Sequence, residues 1–260
     1  MLNFSSSKKV LSTAAACMAA SALLSFSPLS HAAEEPFTAE QKKAIETMVH
    51  EYIVSHPEVL VEAAQALESR KMASQEQALD AAIAHFRNDK NTPVRGDRKS
   101  PHYLIEFFDY NCGYCKVVRP FTKKLQEKYK VAIHYVELPI LSPMSMRASA
   151  IGLALYKQDP EKYLIYQDEL MNPKSRITSE DQLKAAVKKA GADYDKINAI
   201  ATDDPAVGDT LRKNMEISQQ IGLQGTPFFI LDGKVIRGAV KDFSVFEEII
   251  KQAENEAKSK

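Results

Sequence analysis

The feature that most constrains this chain is a pair of cysteines, Cys112 and Cys115, placed between a buried-strand pattern and a helical one. Tyr103-Leu104-Ile105-Glu106-Phe107-Phe108 reads as a buried strand carrying one acid, and Cys115 to Tyr129 as a helix whose first turn includes the cysteines. Unpaired backbone N–H groups and the helix dipole at an N-terminus stabilise anions. A cysteine there has a lowered pKa and exists more as thiolate. A second cysteine three residues later lies one turn below, within disulfide reach. Cys112 is therefore assigned as the exposed nucleophile and Cys115 as the buried resolving thiol. Gly113 and Tyr114 lie between them and tune the redox potential.

Cysteine count supports chemistry over stapling. The chain has three cysteines. Residues 1–32 read as a signal peptide: Lys8 and Lys9 form a positive start, Val10 to Leu29 is apolar, and Ser30-His31-Ala32 precedes the cut. Frequent Ser and Pro28 make this stretch a poor bilayer span. The residues before Cys17 lack the large aliphatic that a lipid-attachment signal prefers. Cleavage after Ala32 removes Cys17. It also leaves a net charge of −2, since Lys8 and Lys9 go and no acid does. Export places the chain in an oxidising compartment, where a stabilising framework uses several spaced cysteines. One pair with two residues between is a poor staple. Zinc requires four ligands, and His50, His56, His85, His102 and His134 form no cluster with metal spacing. No Lys/Arg-rich run points to nucleic acid.

The periodicity then divides the chain. Phe37 to Val54 reads as a helix capped by Thr38, with Gln41 as capping-box partner and Ile45, Met48, Val49, Tyr52 and Ile53 on one face. A second helix begins near Pro57 and carries Val59, Leu60, Ala63, Ala64 and Leu67, with Leu79, Ile83 and Phe86 further on. These helices bury too little to fold alone. Residues 33–87 are read as a helical oligomerisation region, and residues 88–101, polar with Pro and Gly, as a linker. Residues 102–260 give strand, helix, strand, a helical block over about 140–223, a hairpin turning at Asp232-Gly233, and a closing helix. A βαβ unit followed by a ββα unit is the thioredoxin plan with a helical insertion.

Two further elements accompany the cysteines. Thr226-Pro227 stands just before a buried strand, where Pro interrupts sheet pairing. Either it is an ordinary strand-start proline, or a cis bond turns the chain beside the cysteines and frees the Thr226 backbone to pair with an extended substrate. Glu106 is costly inside an apolar strand unless it has a partner or a task. It either lies beneath Cys115 and accepts its proton, or pairs with a lysine or faces water at an edge. Tyr110 and Tyr114 read as rims of a peptide groove, or as packing.

At these residues the chain resembles the DsbA family of periplasmic oxidoreductases. The resemblance rests on Ile105 through Cys115 and on Gly225-Thr226-Pro227-Phe228-Phe229-Ile230, and spans roughly the last 160 residues. Phe37 through Tyr52 and His56 through Leu60 resemble the ScsC-like branch, which is associated with copper tolerance. The resemblance implies Cys112 as nucleophile, Cys115 as resolving cysteine, Pro227 as a cis proline with Thr226 before it, and Glu106 as the buried acid. It implies no cofactor beyond the redox-active Cys112–Cys115 disulfide, with copper(I) as a ligand the pair could take. The founding enzymes carry Pro-His between the cysteines and Val before the cis proline, where this chain has Gly113-Tyr114 and Thr226. The expected function is a periplasmic disulfide isomerase with some oxidase activity, and the alternatives are a dithiol oxidase or a copper(I)-binding protein. The expected partners are misfolded secreted proteins with cysteines, a membrane-bound redox partner, and further copies in a homodimer or homotrimer.

Overall fold

The structure, a computed structural model, describes residues 37–172 and 176–258. The expected signal peptide with Cys17 lies outside the described residues, as does Pro173. The chain divides into two compact units, Met1–Leu60 and Val61–Lys260.

In the first unit, helix α1 (Ala39–Ser55) starts at a capping box. The Gln41 N–H donates to Thr38 Oγ1 at 3.2 Å, and the Thr38 N–H donates to Gln41 Oε1 at 2.9 Å. Ile45, Met48, Val49 and Tyr52 share one face, and all are exposed. Among the described residues, none in α1 is buried. Helix α2 (Glu58–Asn88) extends into the second unit, leaving Leu67 and Met72 exposed and burying Ala82 and Phe86 near its end.

The second unit is built on a mixed sheet in the order β1 (Val94–Arg95), β3 (Ala132–Glu137), β2 (Tyr103–Phe108), β4 (Phe228–Leu231) and β5 (Lys234–Arg237). Helix α3 (Gly113–Tyr129) joins β2 to the parallel β3, with Glu106 opposite Tyr135. β4 runs antiparallel to β2, and β5 to β4. The β4–β5 hairpin turns at Asp232 and Gly233, with φ of 46° and 84°, the left-handed pair that a tight hairpin requires. Between β3 and β4 stand α4 (Pro143–Gln158), α5 (Pro160–Leu170), α6 (Glu180–Lys189), α7 (Tyr194–Asp203) and α8 (Pro205–Gln220). Asp159 and Asp204 cap α5 and α8, with Pro160 and Pro205 in the first turn. Helix α9 (Ser244–Lys258) closes the chain. This is the DsbA-like thioredoxin fold with its helical insertion.

Alternation along β2 sets what each face sees. Leu104 and Phe108 pack in one core with Val118 and Leu125 of α3 and with Phe246 and Ile250 of α9. Ile105 and Phe107 pack in a second core with Ala82 and Phe86 of α2 and Ile217 of α8. Glu106 thus faces α3.

The segment 88–101, expected as a linker, is packed structure instead. Val94 and Arg95 pair with Ile133 and His134 of β3, and Thr92 and Ser100 are buried. Arg98 explains the ordering. Its Nη1 donates to the carbonyls of Arg87 and Asp89 at 3.1 and 3.0 Å, and its Nη2 to Thr92 O at 2.6 Å. One side chain so satisfies carbonyls that the end of α2 leaves unpaired. The expected boundary between residues 33–87 and 102–260 moves accordingly, because the last turns of α2 belong to the second unit's core.

Candidate active site

The loop between β2 and α3 is pinned by two polar side chains. Asp109 Oδ1 accepts from the Asn111 N–H and from Ser145 Oγ, both at 2.7 Å, and its Oδ2 from the Leu141 N–H at 2.9 Å. Asn111 Nδ2 donates to Ser142 Oγ at 2.9 Å and to Ile177 O at 3.1 Å, while its Oδ1 accepts from the Ile177 N–H at 2.8 Å. The loop is tied to the start of α4 and to the approach to α6. Sequence reasoning gave Asp109 and Asn111 no role. The signal was there, in polar residues that form local turns directly before a helix.

That loop presents Cys112 as the N-cap of α3, with the Cys115 N–H donating to Cys112 Sγ at 3.2 Å. Cys112 is only 5% exposed, which corrects its reading as exposed, because the Thr226–Pro227 loop packs over it. The Cys112 thiol lies 3.3 Å from Thr226 O, and the Thr226–Pro227 bond is cis. Cys112 is lowered from its ordinary value of 9.0 to about 6. The largest cause is the hydrogen bond from the Cys115 thiol, followed, against opposing burial, by the Thr226 side chain and the N–H groups of Cys115 and Tyr114. Cys115 is held far above the ordinary thiol value, first by burial, then by donating its proton to Cys112 and by the charge there. The two thiols are thereby differentiated: Cys112 is ready to attack, and Cys115 keeps its proton.

Around the pair, the expected site residues separate. Gly113 has nothing within 4 Å of where a side chain would begin, and Tyr114 is 69% exposed beside it. Tyr110 is 0% exposed, which corrects its reading as a groove rim. The chain turns inward at the pinned Asp109, so the Tyr110 ring packs edge-on against Phe108 and Tyr166. Its hydroxyl donates to Glu137 Oε1 at 2.9 Å.

Glu106 is wholly buried between β3 and β4, so it is no edge residue facing water. Among the described residues, neither carboxylate oxygen has a hydrogen bond of good geometry; the nearby Thr122 hydroxyl donates to Arg119 O at 3.1 Å instead. Burial pushes its carboxyl up, against the pull of Arg119 on α3 and of the Thr122 hydroxyl. The cation beside it is an arginine where the sequence reading named a lysine. Arg119 donates from Nη2 to Gln167 Oε1 at 2.6 Å and to Asp168 Oδ1 at 2.7 Å, and its guanidinium lies 4.8 Å from the Tyr135 ring centre. Asp168 also holds Arg95 and Lys123, each at 2.8 Å. Glu106 thus sits next to a clamped, buried cation.

Glu137 escaped the sequence reading. It is buried at the end of β3, and Tyr110, Tyr163 and Ser149 donate to it at 2.9, 3.0 and 2.8 Å. Burial lifts it to about 8 in spite of these donors. The available signal was an acid closing an apolar strand. Among the described residues, no group of three metal-ligating side chains occurs.

Comparison with known proteins bears on this site directly. The DSBA-like thioredoxin domain family matches residues 103–251, more than half of the chain. The copper resistance protein ScsC N-terminal domain family matches residues 41–73. The structure of Proteus mirabilis ScsC in a transitional conformation is 33% identical, covers 83% of this chain and 98% of its own, and superposes with a TM-score of 0.62. A periplasmic thioredoxin-like protein from Salmonella enterica serovar Typhimurium is 31% identical over 66% of this chain and 95% of its own, with a TM-score of 0.59. Disulfide bond formation protein D of Bacillus subtilis is 25% identical over 180 residues, which are 66% of this chain and 79% of that protein.

Proposed function

The chain belongs to the DSBA-like thioredoxin family, as a thiol–disulfide oxidoreductase of the DsbA and ScsC type, and from that premise we propose that it acts in the periplasm as an oligomeric disulfide isomerase with some oxidase activity. The reduced protein begins with the Cys112 thiolate attacking one sulfur of a wrong disulfide in a client. A Cys112–client disulfide forms, the client S–S bond breaks, and the departing sulfur takes up a proton from water. The Thr226 backbone beside Cys112 pairs with the extended client segment meanwhile. Another client thiolate then attacks the client sulfur of the mixed disulfide. This forms the corrected bond and returns Cys112 as thiolate, with no net oxidation.

Cys115 is the escape from a stalled intermediate. Its proton passes to Glu106, and its sulfur attacks Cys112. The Cys112–Cys115 disulfide forms, and the client leaves as a dithiol carrying two more electrons. A membrane-bound reductant must then restore the pair. Oxidase turnover runs the same steps backwards, with a membrane-bound oxidant recharging the disulfide.

The observation that carries the isomerase reading is the uncovered apolar stripe of α1, formed by Ile45, Met48, Val49 and Tyr52. A second or third copy of the chain covers it. Several tethered sites then act on one client at raised effective concentration. The test is reactivation of scrambled, fully oxidised ribonuclease by the wild type and by a Val49→Asp/Tyr52→Asp variant, with sedimentation of both. A wild-type oligomer that restores activity, beside a monomeric variant that does not, supports the reading. A monomeric variant of equal isomerase rate refutes the need for assembly. A wild type that restores nothing leaves the dithiol oxidase as the better account.

A copper(I) reading uses the same two thiols, which soft metals favour. It is supported by the match to the ScsC N-terminal domain, whose family name is copper resistance protein. Titration of the reduced protein with copper(I) against a chelator decides it.

A further inference from the structure

A groove of about 460 Å³ opens beside the cis Thr226–Pro227 bond, lined by Gln75 of α2, Gly225, Thr226, Pro227, Phe228 and Arg237 of β5, among others. The groove shares Thr226 with the reactive thiol, since Thr226 is one of its walls and Thr226 O lies 3.3 Å from Cys112 Sγ. Gln75 closes another side, packed so near Gly222 that a Cβ there would come within 2.8 Å of Gln75 Nε2. Among the described residues, Arg237 is the one charged member of this lining. Pairing of β5 with β4 puts Arg237 opposite Phe228, and the Gly238 N–H donates to Pro227 O at 3.0 Å. The position of Arg237 relative to the cis-proline loop is therefore fixed by backbone.

Among the described residues, Arg70, Arg87, Arg98, Arg176 and Arg237 form no ion pair with a carboxylate, and of these it is Arg237, exposed at the end of β5, that lines the groove. Arg95, Arg119, Arg147 and Arg212 each hold a carboxylate. Arg237 lies 5.8 Å from the Phe228 ring centre, and among the described residues no carboxylate comes within ion-pair distance of it. A cation resting on an aromatic face keeps its hydrogen-bonding edge for a carboxylate. An extended client segment pairing with Thr226 alternates its side chains, so one near the attacked cysteine enters the groove.

We propose that Arg237 reads charge in a client subsite of this groove, selecting segments with an Asp or Glu close to the attacked cysteine. The inference rests on the reading that the protein exchanges disulfides with polypeptide clients. It adds the class of sequence that the site prefers.

The test uses short, fluorescence-quenched disulfide peptides and the full-length, fully reduced protein, read as the second-order rate constant of peptide reduction. Glu, Gln or Lys is placed in turn at each position flanking the cysteine. At one position the Glu peptide reacts about three- to fivefold faster than the Gln peptide, the range of a partly exposed ion pair, and the Lys peptide is slowest. About 0.5 M salt shrinks the ratio. In Arg237→Gln the Glu/Gln ratio falls to about one, and Arg237→Lys retains part of it, as a point charge should. A purely structural role for Arg237 lowers all peptides together and leaves the ratio standing, which overturns the proposal. So does a wild-type ratio within twofold at every position, or one that salt does not reduce. These wild-type arms decide even if the substitutions prevent folding. If no peptide is reduced at all, the client-exchange reading itself fails, and the charge preference falls with it.

Discussion

Replacing Cys115 by Ala removes the largest single cause of the low Cys112 value, the hydrogen bond from the Cys115 thiol. The backbone N–H of residue 115 stays, at 3.2 Å from Cys112 Sγ, and so does Thr226. A hydrogen bond to a charged sulfur is worth about 1.5–3 kcal/mol, so the Cys112 titration midpoint should move to a proton concentration at least about tenfold lower. Much depends on that midpoint. A thiol titrating at about 6 is roughly nine-tenths ionised at pH 7, whereas one at 9.0 is about one-hundredth ionised. The roughly ninetyfold gain in thiolate is mostly offset in attack, because intrinsic nucleophilicity falls by about twentyfold over the same range. The larger benefit is to Cys112 as a leaving group and to the reduced state as a whole.

Because the folded value is depressed, this stabilisation is fully present above the unfolded value and is lost as pH falls through about 6. At pH 7 it reaches at most about 1.4 kcal/mol, or about 30 mV of reduction potential, and solvent at the groove reduces it further. The assay is thiolate absorbance at 240 nm against pH for the reduced wild type and Cys115→Ala, with Cys112→Ala as baseline. A variant midpoint unmoved from wild type would show that the helix N-terminus alone lowers Cys112, and the pairwise account would be wrong.

Three other predictions concern the buried groups. Glu106→Gln should slow resolution of a trapped Cys112–client disulfide by about 10- to 100-fold without displacing the Cys112 titration by as much, measured by quenched-flow. Glu137 holds its proton more tightly folded than unfolded, so its burial costs stability as pH rises from 4.5 towards 8. Glu137→Gln should flatten that loss in thermal melts across this window, and an unchanged slope would mean that the carboxyl is not so perturbed. Gly152→Ala places a Cβ about 3.0 Å from the Tyr110 hydroxyl and 3.2 Å from Glu137 Oε1. It should lower stability by about 1–3 kcal/mol, read from the urea midpoint.

The sequence made the fold legible wherever a signal was local. Apolar runs marked β2, β3 and β4, and Asp232-Gly233 marked the hairpin, while Pro160 and Pro205, which by themselves signal only breaks in the helical insertion, stand in the first turns of α5 and α8. What it hid was decided by distant partners. β1 has only two residues and exists because β3 pairs with it, while Arg98 organises its approach through carbonyls of α2. Tyr110 reads as either rim or packing because nothing near it in sequence shows that Glu137 of β3 and Tyr166 of α5 close over it. Arg119 carries no local sign of its place beside Glu106. Its burial depends on Gln167 and Asp168, far along the chain.

The course of α2 bears on how such a protein can be cut and rejoined. A gene fragment beginning at residue 102 would carry every residue of the cysteine motif, yet it would strip Ala82 and Phe86 from against Phe107, Phe228 and Ile230. The sheet would present a wet, aromatic back face and would aggregate. A recombination point near residue 60, where the compact units divide, keeps that face covered. Segments preceding that junction can be exchanged without touching the reactive thiols. The long helix is thus a splice site, open to shuffling at its first turns and closed to it at its last.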